Sequence, residues 1–233
     1  MDSERKLEAK RTGSPVEPGR TSAFAGPLSV VPGGKALPRP DLQRHELSVV
    51  ACDLRGFTAF LEAVVPERVI DLLRDYYAAV AVEVARFDAI IKDRAGDGVL
   101  VLVGAGRPEP GHARQAVEMA LAILDRTSVA LERRKSMAGG VGLGIGVASG
   151  AVTIGVIEAG ARLEPVAVGS AVNLAARLCA QAKAGQVLVG ERTAELLAGF
   201  AGGLVAPVAS LSLKGFSQPV RVYEARGGCR AHD

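Results

Sequence analysis

Residues 139–157 carry no charged side chain, and within them glycine alternates with Val, Leu or Ile at Gly140, Gly142, Gly144 and Gly146. A run of this length nearly matches the apolar span of a bilayer helix. Its period, however, is two, and Ser149-Gly150 interrupts it in the middle. Such patterning reads as two buried strands joined by a tight hairpin. The fold must therefore be built on a sheet, and no membrane span is expected.

The flanking segments alternate between the strand and helix periods. Residues 46–53 form a strand apolar enough to lie inside a sheet. Thr58 is placed to cap a helix, and residues 60–87 carry apolar side chains at helical spacing, with Pro66 splitting them into two segments. Residues 88–104 read as a hairpin, with one strand ending near Lys92, a turn through 95–98, and the apolar run 99–103. Pro108, Pro110 and Gly111 mark a loop, and 112–134 a second amphipathic helix. Beyond the glycine-rich run come a loop to Val168, a helix over 170–182, a short strand at 186–189, a short helix at 191–197 and two closing strands within 204–225. Strand, helix, hairpin, helix, strand is the order of a ferredoxin-like βαββαβ core, an α/β (α+β) fold extended here by C-terminal strands and helices. No internal repeat is visible.

Composition narrows the function classes. The 233 residues suffice for one full core with a remainder. Residues 1–43, with six prolines among Gly, Ser and Arg, read as a disordered leader, and 228–233 as a tail, leaving 44–227 as the folded domain. The net charge of +3 owes much to basic residues in the leader, and aromatic residues make up only 4% with no Trp. Neither a phosphate-tracking stripe nor a stacking platform is present, so nucleic acid is not an expected partner. Cys52, Cys179 and Cys229 follow no ligand or disulfide spacing, which suits reduced thiols in a cytoplasmic protein. Alternation turns Cys52 away from the face of its neighbour Asp53, so packing is its expected role. The N-terminal residues lack the short apolar core of a signal peptide, so none is expected.

Two carboxylates stand at the ends of apolar strands. Asp53 ends the first strand and is followed by Gly56, while Asp97 lies between Gly96 and Gly98 in the hairpin turn. In a ferredoxin-like sheet these strands are neighbours, so both carboxylates can reach one pair of divalent cations. Asp-Gly is also ordinary turn chemistry, and either residue alone would carry that meaning. Free N–H groups over Gly56, Phe57 and Thr58 at a helix start are suited to phosphate oxygens. Asn173 and Arg177, four apart on a helix, share one face and suit a ribose and a charged phosphorus, or else a solvated edge.

The runs ACDLRGFT (51–58), AGDG (95–98), VGSAVNLAARL (168–178) and LKGFSQPVRVYE (213–224) together resemble the class III nucleotide cyclase catalytic domain over residues 45–226. The resemblance implies a homodimer with active sites between the subunits. It implies that Asp53 and Asp97, with the Leu54 backbone, hold two Mg²⁺ or Mn²⁺ ions on the substrate triphosphate. One ion would activate the ribose 3′-hydroxyl and the other would hold the triphosphate. Gly56, Phe57 and Thr58 would bind phosphate, and Lys214 the terminal phosphate. Asn173 and Arg177 would come from the other subunit.

Two positions depart from the family pattern. The base-reading lysine lies three residues before the Gly-Asp pair, which here is Asp93; Lys92 is one residue off. The second base-reading position, three residues before Gly169, is Val166. The expected activity is an adenylate cyclase in intracellular signalling, converting ATP to cyclic AMP and pyrophosphate. GTP is an alternative substrate, since Asp93 can accept from guanine donors. A dimerising regulatory module with little turnover is the non-enzymatic alternative. A diguanylate cyclase would need a GG[DE][DE]F turn, which Gly96-Asp97-Gly98-Val99 is not.

Overall fold

The computed structural model describes residues 43–105, 111–134, 140–159, 162–198 and 203–226. The expected tail, Cys229 and all of the expected leader except Gln43 lie outside them.

The first strand, β1 (Gln43–Arg55), is longer than expected and is buried continuously from Leu47 to Cys52. Two helices come next. α1 (Phe57–Ala63) ends before Pro66, which takes the first position of α2 (Pro66–Arg86), where a missing N–H costs nothing. The hairpin β2 (Ile90–Ala95) and β3 (Gly98–Val103) turns at Gly96-Asp97, and α3 (His112–Glu132) leads to β4 (Gly142–Ala159). Then come β5 (Arg162–Val168), α4 (Ser170–Gln181), β6 (Gln186–Gly190), α5 (Glu191–Leu197), β7 (Val205–Leu211) and β8 (Val220–Ala225). The strands form one sheet in the order β2-β3-β1-β4-β6-β8-β7, with β5 paired to β4. The segment β2-β3-β1-β4 has the ferredoxin-like order, antiparallel throughout.

Side-chain alternation along β1 sorts the core into two layers. Val50, Cys52 and Leu54 face α2 and α3, together with Val99, Val101 and Ile145. Leu47, Val49 and Ala51 face the other way, onto Ala171, Ala175 and Cys179 of α4. Cys52, 1% exposed, packs as expected on the side away from Asp53.

The glycine-rich run is not a hairpin. β4 continues straight through Ser149-Gly150, because β1 pairs along it from Gly142 to Ile154 in a single register. The Ser149 hydroxyl, a turn signal in isolation, is taken up by Ser48 at 2.6 Å and Thr193 at 2.9 Å. The expected loop before Val168 is instead β5, which pairs antiparallel with the second half of β4. The glycines serve packing: a Cβ on Gly146 would lie 2.2 Å from the Ala175 carbonyl oxygen and 2.3 Å from the Cys179 nitrogen. Gly146→Ala is therefore expected to push α4 off the sheet and to destabilise the domain by about 1–3 kcal/mol, read by thermal unfolding. An unchanged melting temperature would refute this contact. No helix among the described residues is long and apolar enough to cross a membrane.

Candidate active site

Asp53 lies on the α4 face of β1, two residues beyond Ala51, and pairs with Gly144 of β4. β3 runs antiparallel to β1 with Cys52 opposite Val99, so the β2–β3 turn comes level with the end of β1. The Leu54 N–H donates to Asp97 Oδ2 at 3.2 Å. The two sequence-predicted carboxyls are thus brought to the same end of β1, near enough for the charge of Asp97 to act on Asp53. Tyr77 of α2 secures the turn by donating its hydroxyl to the Gly96 carbonyl, and the Arg94 guanidinium lies 5.6 Å above the Tyr77 ring.

Burial first, then the neighbouring Asp97 carboxyl, push the Asp53 pKa up to about 6, while Arg55 opposes the shift. Two carboxylates held together in partial burial are a poor arrangement unless a cation joins them. Their hard oxygen donors fit Mg²⁺ or Mn²⁺. Among the described residues no group of three or more His, Cys, Asp or Glu side chains could hold a metal. A site with only two protein carboxylates leaves coordination positions for substrate phosphate, as Mg²⁺ sites commonly do.

The chain turns sharply beyond Arg55. Gly56 has φ 73°, and a Cβ there would lie 2.6 Å from the Gly140 carbonyl oxygen, so only glycine fits. Gly56 itself is the cap of α1, with no side-chain hydrogen bond; Thr58 lies inside the helix, exposed, and does not cap it. The Thr58 expectation failed because the reversal needs a left-handed residue two positions earlier. Phe57 and Phe60 anchor the turn in the core, leaving the first-turn N–H groups of α1 at its positive end.

α4 crosses the same sheet face. Ala171, Ala175, Leu178 and Cys179 form its buried side, with Val172 and Leu174 only partly buried. Asn173 and Arg177 are both exposed and have no hydrogen-bond or ion-pair partner among the described residues. Within one chain they make no hydrogen bond to Asp53 or Asp97. Lys214 is likewise exposed, in a turn where the Phe216 N–H donates to the Leu213 carbonyl at 3.0 Å. Leu213 packs against Leu178 and Ala182, at the C-terminal end of α4.

The two base-reading positions lie on β2 and β5, elements that approach each other. Val166 is half-buried opposite Gly155. The register of β2 shifts between Ile91 and Asp93, so Lys92 is the extra residue of a β-bulge. Asp93 is 5% exposed, and its Oδ1 accepts the Arg94 N–H at 2.8 Å.

Sequence reasoning missed Arg55 and Tyr77. Arg55 lies two residues after Asp53 on the same strand face, and strand alternation would have found it; its Nη2 sits 2.5 Å from Asp53 Oδ2. Tyr77 sits on a helix with no local pattern to mark it.

The ferredoxin-like sheet thus brings two strand-end carboxylates together beside a glycine-opened helix start. The family described as the adenylate and guanylate cyclase catalytic domain matches residues 41–224, and the chain belongs to it. Adenylate cyclase 1 of Rhizobium meliloti is 29% identical over 202 residues, covering 81% of this chain and 28% of that protein. The chain spans about a third or less of the length of the curated relatives it matches. Among solved structures, the adenylyl cyclase CyaB from P. aeruginosa superposes with a TM-score of 0.76 at 27% identity, covering 82% of this chain and 98% of that one. The guanylyl cyclase Cya2 gives 0.73 at 27% identity, covering 82% and 97%.

Proposed function

We propose that the chain is an adenylate cyclase that converts ATP to 3′,5′-cyclic AMP and pyrophosphate in intracellular signalling, at sites shared by two copies of itself. The convergence of Asp53 and Asp97 at the end of β1, braced by the Leu54 N–H, carries this reading. In it, Asp53 and Asp97 with the Leu54 backbone hold two Mg²⁺ or Mn²⁺ ions. When bound, the ions neutralise the triphosphate and ease loss of the 3′-hydroxyl proton. The N–H groups at Gly56, Phe57 and Thr58 orient phosphate oxygens at the start of α1. Lys214 meets the terminal phosphate. Asn173 and Arg177 of the second copy fix the ribose and stabilise the charge on the α-phosphorus, which suits their exposure and their lack of partners among the described residues. The ribose 3′-oxygen then bonds to the α-phosphorus as the α–β phosphoanhydride bond breaks, and pyrophosphate departs.

The bulge in β2 favours ATP over GTP. Asp93 is folded onto its own backbone and nearly buried, a poor acceptor for guanine. Lys92, freed from strand alternation by the bulge and half-buried, offers a donor suited to the ring-nitrogen acceptor of adenine. Val166 supplies apolar contact alone. Lys92→Ala is expected to lower kcat/KM for ATP roughly 10-fold, the scale of one charged hydrogen bond. An unchanged ATP value would remove Lys92 from the base pocket. The substrate is tested by offering equimolar ATP and GTP with Mn²⁺ and resolving the products by chromatography. Cyclic AMP in excess is expected; cyclic GMP in excess would contradict the reading.

A further inference from the structure

Arg55 is not among the residues assigned above, yet it makes the tightest contact with them. Its Nη2 lies 2.5 Å from Asp53 Oδ2 and 3.8 Å from Cys179 Sγ. The arm lies across β4 at Gly144, where a Cβ would come within 3.0 Å of Nε. Nε itself is buried and has no hydrogen-bond partner among the described residues. A guanidinium with an unanswered N–H in that slot is not held there by its own hydrogen-bonding needs; the Asp53 carboxylate holds it. No other salt bridge to Asp53 or Asp97 occurs among the described residues.

We infer that Arg55 is a built-in cation that occupies Asp53 until divalent ions take its place, and so sets the cation concentration at which the site loads. The inference rests on the proposed metal-holding role of the two aspartates. Arg55 and an incoming ion compete for Asp53 Oδ2, and they also repel each other across a few ångströms. Arg55 disfavours a proton on Asp53 as well as a metal, but a divalent ion carries twice the proton's charge and is repelled more. With no ion bound, Arg55 offsets the repulsion between the carboxylates; with ions bound, it opposes them. The side chains are 25% exposed for Arg55 and 39% for Asp53, so the exchange needs no opening of the core.

The test is Mn²⁺ binding to the nucleotide-free full chain, monitored by electron paramagnetic resonance of the free ion and by thermal unfolding. Arg55→Met is expected to melt at a lower temperature than wild type without Mn²⁺, and to bind Mn²⁺ on the order of 10-fold more tightly. Its melting temperature then rises more on Mn²⁺ addition than that of wild type. Arg55→Lys, which keeps the charge, should stay near wild-type affinity. In an Asp53→Asn background, Arg55→Met should no longer tighten Mn²⁺ binding. Unchanged or weaker Mn²⁺ binding by Arg55→Met would overturn the inference and leave Arg55 as a packing residue. Mn²⁺ binding to wild type that is indifferent to Asp97→Ala would instead remove the carboxylate pair as a cation site, and the inference with it.

Discussion

Asp97→Ala is expected to lower cyclic nucleotide formation on the order of 1000-fold or more while the domain stays folded. The side chain sits in a two-residue turn and fills no core position; its single hydrogen bond within the fold is to the Leu54 N–H. Its removal loses that bond but also ends the repulsion with Asp53, so stability should change by no more than about 1 kcal/mol. The pH dependence of stability gives a second reading. Asp53 is raised to about 6 by burial, then by Asp97, against the opposing effect of Arg55. A carboxyl whose folded pKa is raised contributes stability that is full below its unfolded value and lost as pH rises through the folded one. The metal-free protein should therefore lose stability as pH rises from the ordinary carboxylate range to about 6. In Asp97→Ala that window should narrow, because one of its causes is gone. Full turnover in Asp97→Ala would end the role given to the carboxylate pair.

Mixing Asp53→Ala chains with Arg177→Ala chains should restore activity that neither variant has alone. Arg177 is exposed on α4 and makes no hydrogen bond or ion pair with Asp53 or Asp97 of its own chain. In the proposed two-fold dimer, each site takes its aspartates from one copy and Asn173 and Arg177 from the other. A mixed dimer then holds one site with both defects and one with neither. Random pairing of equal amounts makes half the dimers mixed, so about one quarter of the wild-type number of sites should return. The activity should appear with the exchange of subunits, measured by cyclic nucleotide production against mixing time. Mixed dimers without activity would place the whole site within one chain.

Much of this was legible because its causes are local. Asp53 and Asp97 were marked by strand ends and turn glycines, and the ferredoxin-like order emerged from the alternation of periods. Pro66 splits its helix as expected, since a proline settles φ and the missing N–H within its own residue. What escaped was decided at long range. Ser149-Gly150 has turn chemistry, but a thirteen-residue ladder to β1 and two hydroxyl partners keep it in a strand. β5 carries Pro165 and charged residues and has no strand signal alone; pairing with β4 makes it one. The β2 bulge that moves Lys92 out of alternation is a property of the pairing with β3, invisible in the six residues of β2. Thr58 failed as a cap because the close approach of Gly140 forces the turn at Gly56.

The most direct test of the carboxylate-pair cyclase is cyclic AMP production from ATP and Mn²⁺ by the purified chain, beside Asp53→Ala shown to have the same oligomeric state. The wild-type chain should yield cyclic AMP and pyrophosphate in equal amounts, and Asp53→Ala none above background. Equal production by both, or none from a folded wild-type dimer, would contradict it.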